Sequence, residues 1–176
     1  YNHNLIWSNN IKFCYNIIGE FIMDTTGMTD DEINAYIMQA AVKLPRDEAK
    51  VNALSDVVRQ TAYEIHKYLG IGYLEKVYEN TLKHRLENLG HEVLQQVKLT
   101  VKDQDGFVVG WYEADLVIDR MMICELKAVK CLNSSHEAQL INYLKTTGIK
   151  DGMLINFGSP KFQAIKRVLS NHPYAS

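Results

Sequence analysis

The chain has 176 residues, a formal net charge of −2 and 47% hydrophobic residues. This length fits one globular domain with at most a small extension, and it is sufficient to bury a hydrophobic core. The sequence contains no apolar run of 18 residues, so we expect no membrane partner.

Charge and cysteine content give weak indications of partner and location. Residues 20–64 hold nine acids and four bases, whereas residues 127–176 hold seven bases and two acids. A cationic C-terminal part suits a polyanionic partner, although a solvated charged surface explains it equally well. The three cysteines, Cys14, Cys124 and Cys131, are odd in number and match no zinc-binding spacing. They favour a reducing, cytoplasmic location.

The N-terminal part differs in composition from the rest. Residues 1–22 contain five Asn and five Ile and precede Met23, the first methionine. We therefore expect the natural start at Met23 and residues 1–22 to be non-native or disordered. Thr29-Asp-Asp-Glu32 is a capping-box pattern and predicts a helical extension within residues 23–45. The main domain is predicted over residues 46–170, with a tail at 171–176.

The main domain begins with two predicted helices and a meander of three strands. An apolar stripe at helical spacing defines the first helix, and it comprises Val51, Leu54, Val58, Ala62, Ile65 and Leu69. The second helix is predicted over about 73–89, and the strands near 92–102, 107–118 and 122–129. A capping box at Ser134 and Glu137 opens a helix to about 147, and a strand follows at 153–157. Residues 161–170 fit either a strand or a short helix. This order predicts an α/β fold of the α+β type with a mixed sheet.

The segment 115–127 carries the strongest functional signal. A charged Glu125 and Lys127 lie inside an apolar strand, which is costly unless the charges are paired or bound to a metal. If residues 119–121 form the hairpin loop, paired residue numbers sum to 240 and Asp115 lies opposite Glu125. Opposed residues have Cβ atoms roughly 4.5–5.5 Å apart, so two carboxylates can share one cation. A two-residue loop would separate them onto opposite faces, and a surface hairpin with scattered charges is the plain alternative.

The order of elements, together with Asp115 and Glu125-Leu126-Lys127, resembles the PD-(D/E)xK nuclease core, also called the restriction-endonuclease-like fold. Over residues 54–169 the chain also resembles the GxxExxR proteins, which are placed among these nucleases. Five blocks support this resemblance: 64–78, 114–117, 125–128, 136–144 and 154–158. Tyr78 stands where the family name would place Arg.

The resemblance implies a metal-binding and catalytic site. Asp115, Glu125 and the backbone carbonyl of Leu126 would bind Mg²⁺ or Mn²⁺, and Lys127 would act on the attacking water or stabilise the transition state. Glu75 is the candidate third carboxylate, although a helix-start Glu favoured by the helix dipole is the alternative. Glu79, one turn further on, is a weaker candidate.

Further residues have candidate roles around this site. Gln139 and Tyr143 have the spacing of the QxxxY signature of RecB-type nucleases, which implies contact with nucleic acid. The alternative is an amphipathic helix with Tyr143 in the core and Gln139 at the surface. In the register that sums to 240, Glu113 faces Lys127 as a salt-bridge partner. Contacts with phosphates, or a merely solvated surface, are expected for Lys161, Lys166 and Arg167, whereas His66 and His136 are expected to be structural.

The predicted function is therefore a metal-dependent nuclease that hydrolyses phosphodiester bonds. The resemblance favours DNA as the partner, although the sequence does not distinguish DNA from RNA, and a homodimer remains open. The alternative is a non-catalytic nucleic-acid-binding or partner-binding module that keeps the nuclease fold. Intact Asp115, Glu125 and Lys127 favour catalysis.

Overall fold

The computed structural model describes residues 13–14, 23–24, 27–29, 32 and 46–170. Strands β1 (Phe13–Cys14) and β2 (Met23–Asp24) pair antiparallel. The predicted capping box is confirmed, since the Thr29 N–H donates to Glu32 Oε2 at 2.8 Å and the Glu32 N–H donates to Thr29 Oγ1 at 3.3 Å. The rest of that predicted helix, most of residues 1–22 and the tail at 171–176 lie outside the described residues.

The main domain is a five-stranded mixed sheet with helices on both faces. Its elements in chain order are α1 (Glu48–Leu69), α2 (Glu75–Asn88), β3 (Val93–Lys102), β4 (Val108–Ile118), β5 (Met122–Lys127), α3 (Ser134–Thr147), β6 (Asp151–Asn156) and β7 (Gln163–Val168). The strand order is β3-β4-β5-β6-β7, and only the β5–β6 pair is parallel. The predicted α/β architecture is confirmed, and residues 161–170 contain an edge strand.

Two hydrophobic cores cover the two faces of this sheet. The α1/α2 core contains the predicted stripe of α1 together with Leu116, Cys124 and Leu126. The α3 core contains Ala114, Ile123, Leu140 and Tyr143, among others. The sheet is therefore buried on both faces at its centre. Within the described residues, no helix is long and apolar enough to cross a membrane.

The cap of α3 lies one residue earlier than predicted. The Asn133 side chain accepts the His136 N–H, and the His136 ring accepts the Asn133 N–H, so these two residues form the capping box. Glu137 accepts hydrogen bonds from Arg167 instead. Asn is as good an N-cap as Ser, and here it displaces the Ser134–Glu137 alternative.

The β4–β5 hairpin has the predicted register. Residues 119–121 form the loop, and the pairs Leu116–Cys124, Val117–Ile123 and Ile118–Met122 each sum to 240. The ladder ends at the pair Leu116–Cys124, so within residues 46–170 the outer part of β4 pairs with β3 alone.

The predicted partnership of Glu113 and Lys127 is wrong, because the β4–β5 ladder ends before it reaches Glu113. Glu113 lies opposite Lys98 of β3 instead. Lys127 forms its ion pair with Glu125.

Strands β3 and β4 both switch faces at one rung. Val93 lies in the α1/α2 core and Val97 in the α3 core, although residues four apart share a face in a regular strand. Gln96 causes the switch in β3, because its φ of 55° is left-handed and breaks the alternation of side chains. Asp115 is at the matching position of β4, because the flanking pairs are Gln95–Leu116 and Val97–Ala114. Its neighbours Ala114 and Leu116 also lie in different cores, so β4 changes faces at Asp115.

Candidate active site

Asp115 lies at this switch and turns its carboxylate toward β5. Its Oδ2 accepts the backbone N–H of Leu126 at 2.7 Å, and its Oδ1 accepts from Gln96 Nε2 at 3.4 Å. Burial raises the pKa of Asp115 to about 6, although the Leu126 N–H and the charge of Lys127 oppose the rise. The carboxylate is therefore held between two strands at a cost in electrostatic energy.

Glu125 is the most deeply buried acid of the site, with 1% of its surface exposed. Its Oε1 accepts from Lys127 Nζ at 2.5 Å, whereas its Oε2 is buried and accepts no hydrogen bond from the described residues. Burial, together with the negative charge of Asp115, raises the pKa of Glu125 to about 7, although the hydrogen bond and the charge of Lys127 oppose the rise. An unsatisfied buried carboxylate oxygen costs free energy that a bound cation would recover.

Lys127 shares its strand and sheet face with Glu125, as the two-residue alternation of strands requires. Burial lowers the pKa of the Lys127 ammonium, but the hydrogen bond to Glu125 and the charges of Glu75 and Asp115 outweigh burial, so its pKa is raised. Lys127 is therefore protonated at neutral pH, and its positive charge is fixed beside the two carboxylates.

Glu75 is the first residue of α2 and reaches the end of β5. Its Oε2 accepts the backbone N–H of Ala128 at 3.2 Å. No side chain caps α2 at Leu74, so the acidic side chain also faces the positive end of the helix dipole. The negative charge of Glu75 contributes to the raised pKa values of Asp115 and Glu125. Glu75 thus acts electrostatically on the other two acids.

Glu79 is buried and already has several donors. Its Oε1 accepts from Gln95 at 2.7 Å, from Gln96 at 2.9 Å and from Lys76 at 2.8 Å. Gln96 also donates to Asp115, so it links the carboxylates of Glu79 and Asp115. Neither glutamine is predicted as a site residue from spacing, although two adjacent polar residues within an alternating strand are a usable signal of the switch.

The structure brings Gln139 and Tyr143 together on α3. Gln139 Nε2 donates to the Tyr143 hydroxyl at 2.5 Å, and the Tyr143 ring packs against Tyr112 with centroids 5.4 Å apart. Tyr143 is 2% exposed, and burial raises its pKa to about 12. Tyr143 is therefore a core residue that holds Gln139, which is only half-buried.

The other polar candidates have structural partners. His66 hydrogen-bonds the backbone carbonyl of Ser159 at 2.8 Å, and His136 belongs to the cap of α3. Lys166 contacts Asn52 and Asp151, and Arg167 contacts Glu137. These cations are therefore committed to contacts within the domain, and Lys161 is exposed.

The donor set fits a hard divalent cation. Within residues 46–170, no three His, Cys, Asp or Glu side chains are gathered closely enough to hold a metal ion by themselves. Mg²⁺ needs fewer protein ligands than that, because it keeps several waters and binds through one or two carboxylates. Asp115 and the unsatisfied Glu125 Oε2 provide such carboxylates, and oxygen ligands suit Mg²⁺ and Mn²⁺.

The chain matches a known class of proteins. Residues 52–168 match the family described as the PD-(D/E)XK nuclease superfamily. The chain therefore belongs to the PD-(D/E)XK nuclease superfamily, whose nucleases generally depend on divalent metal ions.

No curated protein matches the chain. Among solved structures, the chain is similar to the one titled "Crystal structure of SSO0001", at 15% identity and a TM-score of 0.43. That similarity covers 83% of this chain and 80% of the other.

Proposed function

We propose that the protein is a metal-dependent nuclease that hydrolyses phosphodiester bonds of nucleic acid. Asp115 and Glu125 would bind Mg²⁺ or Mn²⁺, with the backbone carbonyl of Leu126 and the carboxylate of Glu75 as further ligands. The buried and unsatisfied Oε2 of Glu125 is the observation on which this proposal chiefly rests. A stable domain retains such an atom at a cost, and cation binding is a function that repays it.

The bound cation would polarise the phosphodiester and lower the pKa of a bound water. We propose that Lys127 assists this hydrolysis. Because its pKa is raised, Lys127 carries a proton at neutral pH and suits stabilisation of negative charge on the phosphate better than removal of a proton. Of the roles that the sequence allows for Lys127, we propose electrostatic stabilisation.

Gln139 is proposed to contact the nucleic-acid backbone. One N–H of its amide is used by the Tyr143 hydroxyl, and an amide has a second N–H and a carbonyl oxygen for other partners. Tyr143 is too buried to contact nucleic acid through its ring face and acts by fixing the position of Gln139.

A second candidate function is a non-catalytic nucleic-acid-binding or partner-binding module with the nuclease fold. The ion pair between Lys127 and Glu125 is the observation that favours it, since this pair partly neutralises the site without a metal. A module of this kind would bind nucleic acid without cleaving it, whether or not a divalent cation is present.

The test is incubation of the purified protein with labelled single- and double-stranded DNA and RNA, in Mg²⁺, in Mn²⁺ and in EDTA. We expect cleavage of at least one substrate in Mg²⁺ or Mn²⁺ and none in EDTA, with DNA as the favoured substrate. A Glu125→Gln variant serves as the control for a contaminating nuclease. Cleavage that persists in EDTA or in this variant would contradict the proposal, as would binding without cleavage under every condition.

We further propose a cytoplasmic location. The structure describes Cys124 and Cys131 as free thiols, the first buried and the second exposed. Free thiols suit a reducing compartment.

A further inference from the structure

The loop at residues 70–74, which joins α1 to α2, carries exposed apolar side chains. Ile71 and Tyr73 are each 50% exposed, and Leu74 is 78% exposed. Single exposed apolar residues are ordinary, but three within four positions form a small apolar surface that points to a binding role.

Two hydrogen bonds with the buried Tyr78 hydroxyl hold the backbone of this loop. The Tyr78 hydroxyl donates to the carbonyl of Gly70 at 2.8 Å and accepts the N–H of Tyr73 at 3.3 Å. The Tyr78 ring is fully buried and stacks on Phe157 with centroids 4.6 Å apart. Gly72 has a φ of 104°, which a residue with a side chain rarely adopts. The exposed side chains are therefore presented by a preorganised backbone, which lowers the entropic cost of binding.

This apolar surface adjoins the proposed catalytic site. Leu74 is the N-cap residue of α2, and the next residue, Glu75, accepts the N–H of Ala128 directly after Lys127. A phosphodiester bound at the carboxylates would therefore have its neighbouring nucleotides close to Tyr73 and Leu74.

Two pairs of a cation and an aromatic ring lie on the helices that the loop joins, one within α1 and the other between the last turn of α1 and the last turn of α2. Lys67 Nζ lies 5.8 Å from the ring centroid of Tyr63, and the Arg85 guanidinium lies 5.7 Å from that of Tyr68. Tyr68 is 78% exposed. Aromatic rings interleaved with cations are the combination that binds single-stranded nucleic acid, through base stacking and phosphate contacts.

We propose that Ile71, Tyr73 and Leu74 contact unstacked bases, so that the substrate is single-stranded or locally melted nucleic acid. This inference rests on the proposed nuclease function and specifies its substrate class. Apolar side chains gain nothing from phosphates, and the faces of bases are covered by their neighbours in a regular duplex. Contact with a base face therefore requires an unpaired strand or a step that the side chains open as a wedge.

A second copy of the chain is a weaker explanation for this surface. A stable protein interface uses roughly 20–30 residues on each partner, and the loop offers three exposed apolar residues. The small size of this surface fits a nucleic-acid strand better than a protein partner.

The test compares Leu74→Ser with Leu89→Ser. These two leucines flank the two ends of α2, as its N-cap and its C-cap, and they are 78% and 61% exposed. Binding is measured by fluorescence anisotropy on a labelled DNA strand and on the duplex of the same sequence, with Ca²⁺ in place of Mg²⁺. We expect the wild type to prefer the single strand, and Leu74→Ser to weaken single-strand binding by about fivefold or more. Leu89→Ser should stay within about twofold of the wild type, since Leu89 lies at the far end of the helix.

Tyr78→Phe provides a second variant, because it keeps the ring stack on Phe157 and removes both hydrogen bonds to the loop. We expect it to weaken single-strand binding while duplex binding changes by less than about twofold, because only the preorganisation of the loop is lost.

Three outcomes would overturn the inference: a wild type that does not prefer the single strand, equal binding by Leu74→Ser and Leu89→Ser, and a Leu74→Ser variant that changes only the oligomeric state in light scattering.

Cleavage in Mn²⁺ by the same protein preparations reports separately on the nuclease. Cleavage by the wild type with no difference between the two leucine variants would overturn the substrate class alone. Binding that depends on Leu74 without any cleavage would overturn the nuclease alone.

Discussion

The Asp115 carboxylate accepts the backbone N–H of Leu126 at 2.7 Å, so a side chain joins β4 to β5 just beyond their last paired rung. Sequence reasoning predicts Asp115 directly opposite Glu125. In the structure the register is as predicted, but the backbone ladder has already ended at that rung, and the Asp115 side chain occupies the place of a backbone acceptor. The backbone hydrogen bonds between β4 and β5 end there, and Asp115, Glu125 and Lys127 lie just beyond the last pair.

We expect Asp115→Asn to abolish stabilisation by divalent cations. The Asn side-chain oxygen can still accept the Leu126 N–H, so the backbone arrangement is preserved while the charge is lost. A wild-type site at a cation concentration of about 100 times Kd gains roughly 2.7 kcal/mol, which a thermal shift detects readily. Without cation, the variant should be as stable as the wild type or more stable, because burial disfavours the Asp115 charge. An unchanged shift of Tm in Mg²⁺ or Mn²⁺ would remove Asp115 from the metal site.

Protons and metal should compete at the site, so the effect of metal on Tm should depend on pH. The pKa values of Asp115 and Glu125, about 6 and about 7, lie above their ordinary values of 3.8 and 4.5. Their favourable contribution to stability is complete below the ordinary values and is lost as pH rises through 6 and 7. The metal-free protein should therefore lose this contribution between about pH 4 and pH 7, and the increase of Tm with Mg²⁺ should grow over the same window.

The measurement is Tm in Mg²⁺ and in EDTA at several pH values, with the Asp115→Asn, Glu125→Gln double variant as the control. Removal of both carboxylates should reduce the pH dependence of Tm both in Mg²⁺ and in EDTA. A Mg²⁺ effect that is constant from about pH 4 to pH 7 would contradict the raised pKa values.

Gln96 should tolerate substitution less well than Gln95. Both side chains donate to Glu79, but Gln96 alone has a left-handed φ, of 55°. Each change to Val removes two side-chain hydrogen bonds, and Gln96→Val also puts a β-branched residue in that conformation. We expect Gln96→Val to cost about 1–2 kcal/mol more than Gln95→Val in chemical denaturation. Equal losses would mean that the switch of faces is not held by the backbone of Gln96.

Gly152, which lies within β6, and Gly158, which follows β6, should differ in their response to alanine. A Cβ on Gly158 would lie 2.4 Å from backbone atoms of Ala128 and Val129, whereas a Cβ on Gly152 would lie 2.8 Å from the end of the Leu140 side chain. Backbone atoms next to Lys127 cannot yield without moving the site, but a leucine side chain can adjust.

Gly158→Ala should therefore cost about 3 kcal/mol and weaken the metal-induced shift, and Gly152→Ala should cost about 1 kcal/mol with the shift intact. Urea denaturation with and without Mg²⁺ measures both quantities. Similar losses in the two variants would contradict the close approach of Gly158 to β5.

Periodicity and hairpin geometry suffice to predict most of the fold. The apolar stripe of α1 gives the first helix, and the loop at 119–121 gives the register that brings Asp115 near β5. These features are predictable because each depends on local spacing, with periods of 3.6 and 2.

The face switch is not predictable from spacing, because it comes from one residue in an unfavourable conformation. A strict alternation would extend the β4–β5 ladder to Glu113 and give Lys127 the wrong partner. Gln95 and Gln96 are missed for the same reason, since their shared contact with Glu79 exists only when alternation fails. Likewise, the cap of α3 at Asn133 depends on a choice between neighbouring caps of similar free energy.

The most direct test of the proposed nuclease is single-turnover cleavage in Mg²⁺ by the wild type and by Lys127→Met, with metal binding followed by thermal shift. Met retains much of the apolar stem and removes the ammonium that contacts Glu125. We predict a loss of cleavage by about a hundredfold or more, with the metal-induced shift of Tm preserved. Cleavage by Lys127→Met at the wild-type rate would contradict the catalytic role proposed for this site.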